Sequence, residues 1–137
     1  MPRQVTVSRG VLLVCVLALL GCGSPNHPSS TPVPIGMWGG PEVALEVTAT
    51  GAFMPDPSSC FDASIGQPLL MDRSGRFTVD GTWVVYPLGS RPGIPFPAHF
   101  SGVVSGTKMT LTVTFAGHSQ VYLLNYGSPP IPPFPMC

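Results

Sequence analysis

Three histidines and six carboxylates are the groups in this 137-residue chain best suited to moving a proton near neutral pH. Nucleophilic catalysis needs a base beside the nucleophile and a third group that orients the base. The sequence does not supply that pattern. His27 falls in a run of Pro and Ser. His99 lies in an alternating segment, on the face opposite Ala98 and Phe100, and His118 sits in a Gly-Ser turn. Both are expected to face water. No serine occupies a G-x-S-x-G elbow. Asp56, Asp62, Asp72 and Asp80 fall in turns or on the polar face of alternating segments, where carboxylates serve local hydrogen bonding. The stretch DPSSCFD brings Asp56 and Asp62 near one another, but its spacing fits no calcium loop. There is no Walker loop and no dinucleotide fingerprint. These residues point away from catalysis, and no enzyme activity, cofactor or metal is expected.

Charge narrows the partners. Lys and Arg balance Asp and Glu at six each, and no basic run occurs. Phosphate neutralisation needs clustered Lys or Arg, so nucleic acid is not expected as a partner.

The elements that must carry these side chains read as strands. Val43, Leu45 and Val47 alternate with Ala44, Glu46 and Thr48. Phe77, Val79, Gly81, Trp83 and Val85 alternate with Thr78, Asp80, Thr82 and Tyr86. In MTLTVTF, Met109, Leu111, Val113 and Phe115 face one way and three threonines the other. Strict alternation marks antiparallel strands with one buried and one wet face, and threonine suits the wet rows. Turns separate the runs: MDRSGRF joins a short strand at 68–71 to one at 76–86, VVSGTKMT is a hairpin with Gly106 at its tip, and FAGHSQVY leads to a last strand near 120–126. Eighteen prolines and sixteen glycines leave no helical periodicity. The expected fold is all-β, an antiparallel meander of about six to eight strands forming a small closed or half-closed barrel over residues 37–137.

The N-terminus addresses location. Residues 11–20, VLLVCVLALL, are continuously apolar after Arg3 and Arg9. A spanning helix needs about 20 such residues, so this stretch is a signal-peptide core. It ends in Leu19-Leu20-Gly21-Cys22, which resembles the lipobox of bacterial lipoprotein precursors. In that family the cysteine sulfur takes a diacylglycerol, the signal is cut before it, and the new amino group is acylated. The resemblance implies a signal peptide over 1–21, a lipid on Cys22 and a membrane partner. With more than one acyl chain, such an anchor is effectively permanent. In the same family an Asp after the cysteine retains the protein in the inner membrane. Gly23 therefore implies the outer membrane, facing periplasm or cell surface. Residues 22–36, CGSPNHPSSTPVPIG, read as a lipidated Pro/Ser-rich tether.

With Cys15 removed and Cys22 acylated, Cys60 and Cys137 remain of the four cysteines. An even pair in an exported, oxidising compartment reads as a disulfide. It would close a long loop and stabilise the fold by about 4 kcal/mol on the chain-entropy model. Two cysteines without CxxC or HxxxH neighbours are too few ligands for zinc.

The body also resembles a group of small exported bacterial β proteins. The carriers are GMWGGPEVALEVTATGAFMPDPSSC, PLLMDRSGRFTVDGTW, AHFSGVVSGTKMTLTV and the terminal Cys137. That resemblance implies the same fold and disulfide, and it brings no activity. The Pro-rich 87–97 stretch departs from the group. Gly36-Met37-Trp38 is similar to the Gly-x-Trp that opens lipocalin- and avidin-like barrels, in which this tryptophan serves as an end plug more often than as a ligand contact.

Three functional expectations follow. The first is an envelope lipoprotein acting as a non-enzymatic structural or interaction module, whose partner is an envelope protein. The second is a binder of a small apolar ligand, with Trp38 and Trp83 at the mouth. The third is an inhibitor of an external hydrolase, presenting Leu88, Ile94 and Phe96 from the stretch YPLGSRPGIPFPAHF. In that stretch the prolines hold the chain stiff, and the alternative role of Ile94 and Phe96 is to cap a barrel end. The lipobox makes the first prediction: Cys22→Ala moves the protein out of the membrane pellet on fractionation, and an unchanged pellet refutes lipidation.

Overall fold

The computed structural model describes residues 30–41, 43–55, 60–89 and 92–130. Their strands are β1 (Thr31–Pro32), β2 (Gly36–Gly40), β3 (Val43–Val47), β4 (Ala52–Pro55), β5 (Phe61–Ile65), β6 (Leu70–Met71), β7 (Arg76–Val85), β8 (Ile94–Ser105), β9 (Lys108–Phe115) and β10 (His118–Tyr126). The one helical element among the described residues is a 3-10 turn at Pro87–Gly89. Eight strands close into a barrel in the order β10-β2-β3-β4-β5-β7-β8-β9, and β1 and β6 form a separate two-stranded ribbon. Apart from the excursion through β6, each barrel strand pairs antiparallel with its neighbour in sequence. The expected meander is therefore a fully closed barrel.

Period-two patterning places the core. Along β7 the buried Phe77, Val79 and Trp83 alternate with the exposed Arg76, Thr78 and Asp80. Phe100 and Leu111, on β8 and β9, are completely buried, with Met109 and Val113 beside Leu111. Among the described residues every buried side-chain nitrogen and oxygen has a hydrogen-bond partner. Such a core specifies packing without leaving a polar group unpaid.

Small residues inside the barrel make room for large ones across the ladder. Gly102 stands opposite Phe77 in register, and a Cβ on Gly102 would collide with the Phe77 ring. Gly81 likewise lies under the edge of Phe100. A glycine inside a strand normally weakens it. Here the covering aromatic ring restores the lost contact, and the exchange lets aromatics fill a narrow barrel.

Two hairpins are set by left-handed residues. Ser105 pairs with Lys108 across Gly106-Thr107, and Gly106 has φ 59°. Phe115 pairs with His118 across Ala116-Gly117, which have φ 48° and 79°. Two positive φ values in a two-residue loop are those of a type I′ turn, whose twist matches its strands. Asp72 organises the turn before β7. Its Oδ1 accepts from Ser74 N (2.7 Å), Ser74 Oγ (2.7 Å) and Arg76 N (3.0 Å). These bonds, led by the one from the Ser74 hydroxyl, hold its carboxyl below the usual range.

The body begins before Met37. Thr31 and Pro32 pair with Met71 and Leu70, the Val33 N–H donates to the Leu69 carbonyl at 2.9 Å, and Val33 is 1% exposed. Residues 31–36, expected as part of the tether, therefore belong to the body. A lone valine among prolines carries little hydropathy, yet it plugs the barrel end, and the prolines suit a short edge strand. The loop after β7 is also shorter than the 87–97 stretch, because β8 starts at Ile94. Pro95 and Pro97 fall where β8 pairs with β7 alone, since pairing to β9 begins at Ala98. A residue with no N–H donor is tolerated on such a one-sided stretch.

Two expected outcomes test this account. Gly102→Val overpacks the Phe77 site and lowers unfolding free energy by about 1–3 kcal/mol, read by urea denaturation. Asp72→Ala melts below the wild type at pH 7. A lowered folded-state pKa stabilises above about pH 4, and the gain is lost as pH falls through the folded value. The difference between the two melting temperatures therefore shrinks as pH is lowered below about 4.

Candidate functional site

The barrel's two ends differ. At one end lie the turns at 48–51, 72–75 and 106–107 together with the β1–β6 ribbon, and this end is shut. Val33 and Leu69 are 1% and 2% exposed there. Trp38 is fully buried behind them. Its indole N–H donates to the Pro34 carbonyl at 3.0 Å, and its ring meets Tyr126 edge-on with centroids 5.1 Å apart.

The other end, where β7 passes to β8 and β9 turns into β10, is open among the described residues. A cavity of about 580 Å3 sits in it. Phe61, Trp83, Val85 and Phe115 form the apolar wall, and Gln120 and Tyr122 stand on the β10 side with Cys60 and Val121 at the rim. The wall is a stack of three rings. Phe61 lies on Trp83 at 4.3 Å and 14°, and Phe115 lies on Trp83 at 4.5 Å and 12°. Phe115 reaches Trp83 across β8 because the intervening residue, opposite Phe115 in register, is Ala98. Stacked aromatic pairs contribute about 0.5–1.5 kcal/mol each beyond buried area. Trp83 is held rigidly at 2% exposure, while Phe61 and Phe115 are half-buried and face the cavity.

No lining residue among the described residues carries a charge. The Tyr122 hydroxyl donates to Gln120 Oε1. Asp62, next to Phe61, points to the outer face and accepts from the Tyr86 hydroxyl at 2.8 Å. That bond, with the Tyr86 N–H donating to the Cys60 carbonyl at 2.8 Å, ties the rim of β5 to the end of β7. Cys60 is disulfide-bonded. Cys22 and Cys137 lie outside the described residues, as do His27 and Asp56.

The residues singled out from sequence are divided between the ends. Trp83 is in the mouth, and Trp38 is at the closed end, so the two tryptophans do not share a site. Ile94 pairs with Val85 and Phe96 with Trp83, which puts both on the inward rows at the mouth. Ile94 is 51% exposed there, and the Phe96 ring lies 6.5 Å from Phe115. Leu88 is 91% exposed with φ 53°. Phe61, Phe115, Gln120 and Tyr122 escaped sequence reasoning. Their alternation marks them as inward, but only the closed topology shows which inward residues stand at an open end.

His99 and Asp80 form an outer-face pair at 2.8 Å between β8 and β7, both solvent-exposed. Exposed pairs contribute little to stability. Thr114, opposite His99 in register, has its hydroxyl bonded to that of Ser119 at 2.8 Å. Among the described residues this row shows no hydroxyl bonded to the histidine.

No family model matches this chain. No curated protein and no solved structure gives a significant match either.

Proposed function

We propose that this chain is a membrane-anchored envelope lipoprotein whose barrel holds a small apolar molecule in its open mouth. One observation carries the reading: the barrel is packed solid around Leu45, Leu111 and Val113, yet leaves about 580 Å3 open against Phe61, Trp83 and Phe115. Ligand sites are typically concave, largely apolar and of about 300–1,000 Å3, with a few placed polar groups. Phe100, deeper in the packed region, is completely buried, so the cavity does not reach through the barrel there. The lipobox Cys22 supplies the anchor in this reading, and the polar residues after it hold the mouth away from the bilayer.

A second reading has a specific observation in its favour. Leu88, 91% exposed and in the left-handed region, is an apolar knob beside the mouth. It suits contact with an envelope protein, including an external hydrolase that the barrel would block.

Titration with the neutral fluorophore phenylnaphthylamine tests the first reading. Saturable enhancement of its emission is expected, and Val85→Arg, which fills the mouth with a charged side chain, weakens binding at least about tenfold while the far-ultraviolet circular dichroism stays unchanged. Absence of saturable binding, or equal binding by the Val85→Arg protein, overturns the reading.

A further inference from the structure

We infer that the mouth selects a neutral, flat aromatic molecule bearing one hydrogen-bond acceptor, and that the Gln120 amide reads that acceptor. The inference rests on the ligand-binding reading above and specifies its chemistry.

Neutrality follows from the lining. Among the described residues no cation or carboxylate lines the cavity, and the carboxylate beside Phe61, Asp62, is turned outward to Tyr86. A charged ligand entering this cavity would give up water without gaining a counter-charge, which is unfavourable by several kcal/mol in an apolar site.

Flatness follows from the wall. The Phe61 and Phe115 rings lie within 14° and 12° of the Trp83 plane. Trp83 has both faces covered, so it acts as the fixed middle of the stack. The half-buried Phe61 and Phe115 offer what is left, and a planar ring extends a stack of this kind better than a bulky aliphatic group does.

The acceptor follows from β10. Gln120 and Tyr122 share the inward row with the buried Leu124. The Tyr122 hydroxyl donates to Gln120 Oε1, which fixes the amide with its oxygen toward the tyrosine. The Nε2 hydrogens are then presented as donors on a side chain that lines the cavity. A carbonyl, ether or phenolic oxygen on a ring lying against the opposite wall meets that donor.

Three probes of one skeleton test the inference on the intact protein: a dimethylaminonaphthalene ketone (Prodan), the parent dimethylaminonaphthalene, and the matching carboxylate. Binding is read by quenching of tryptophan emission. The ketone is expected to bind about fivefold tighter than the parent, the worth of one neutral hydrogen bond, and more than tenfold tighter than the carboxylate. Gln120→Leu removes the ketone's advantage over the parent. Gln120→Glu, which keeps the shape but loses the amide donors, also removes it. If ketone and parent bind the wild type equally, if the carboxylate matches the ketone, or if Gln120→Leu preserves the ketone's advantage, the inference is overturned while ligand binding stands. If no probe binds, the ligand-binding reading falls as well.

Discussion

The meander is a barrel only because β10 finds β2, and that seam is short. Two register pairs close it, Asn125 with Gly39 and Tyr126 with Trp38, against ten pairs between β7 and β8. What the seam lacks in ladder it recovers in side chains. Trp38 and Tyr126 meet ring edge to ring face, the indole N–H is bound to Pro34 and the phenol to Ile35. The Gly127 N–H also donates to Met37 at 2.7 Å. The segment after β10 then crosses the outside of β2, where Ser128 and Pro129 backbone occupies the space that a side chain on Gly39 would need. Closure removes the exposed edges that an open meander would leave.

Closure also divides the interior. An eight-stranded barrel is just wide enough for side chains to fill or for one small ligand to occupy. Here both outcomes occur at different heights. Toward the shut end, glycines under Phe77 and Phe100 let large rings interdigitate until no room remains. Toward the open end the aromatics are gathered on one wall, across the small Ala98, and the opposite wall carries Gln120 and Tyr122. The cavity is the space left when aromatic bulk is concentrated on one side. It is polar where the chain supplies an amide and a phenol, and apolar elsewhere.

Much of this architecture is written in the period-two pattern. Met109, Leu111, Val113 and Phe115, and the row from Phe77 to Val85, declare their inward face without ambiguity, and Gly106 marks its turn. The pattern states which face a residue takes and is silent on its height in the barrel. Trp38 and Trp83 look alike in sequence and lie at opposite ends, because height depends on pairing register. Residues 31–35 read as tether by composition, since a single valine between prolines carries little hydropathy, yet that valine fills the barrel end. Pro95 and Pro97 read as loop. They sit in a strand because the neighbouring strand ends before reaching them, and local sequence holds no information on where a neighbour stops.

The seam has a consequence for the order of assembly. Every other barrel ladder joins strands consecutive along the chain or separated only by the β6 excursion, so each hairpin forms from nearby residues and early in synthesis. The β2–β10 contact spans nearly the whole body and waits for the last strand. Until Tyr126 arrives, β2 presents bare backbone on one side and Trp38 has no lid, which makes that edge the natural point of attack for proteases, chaperones or a second copy of the chain. The barrel therefore passes through one vulnerable moment, and its final strand ends it.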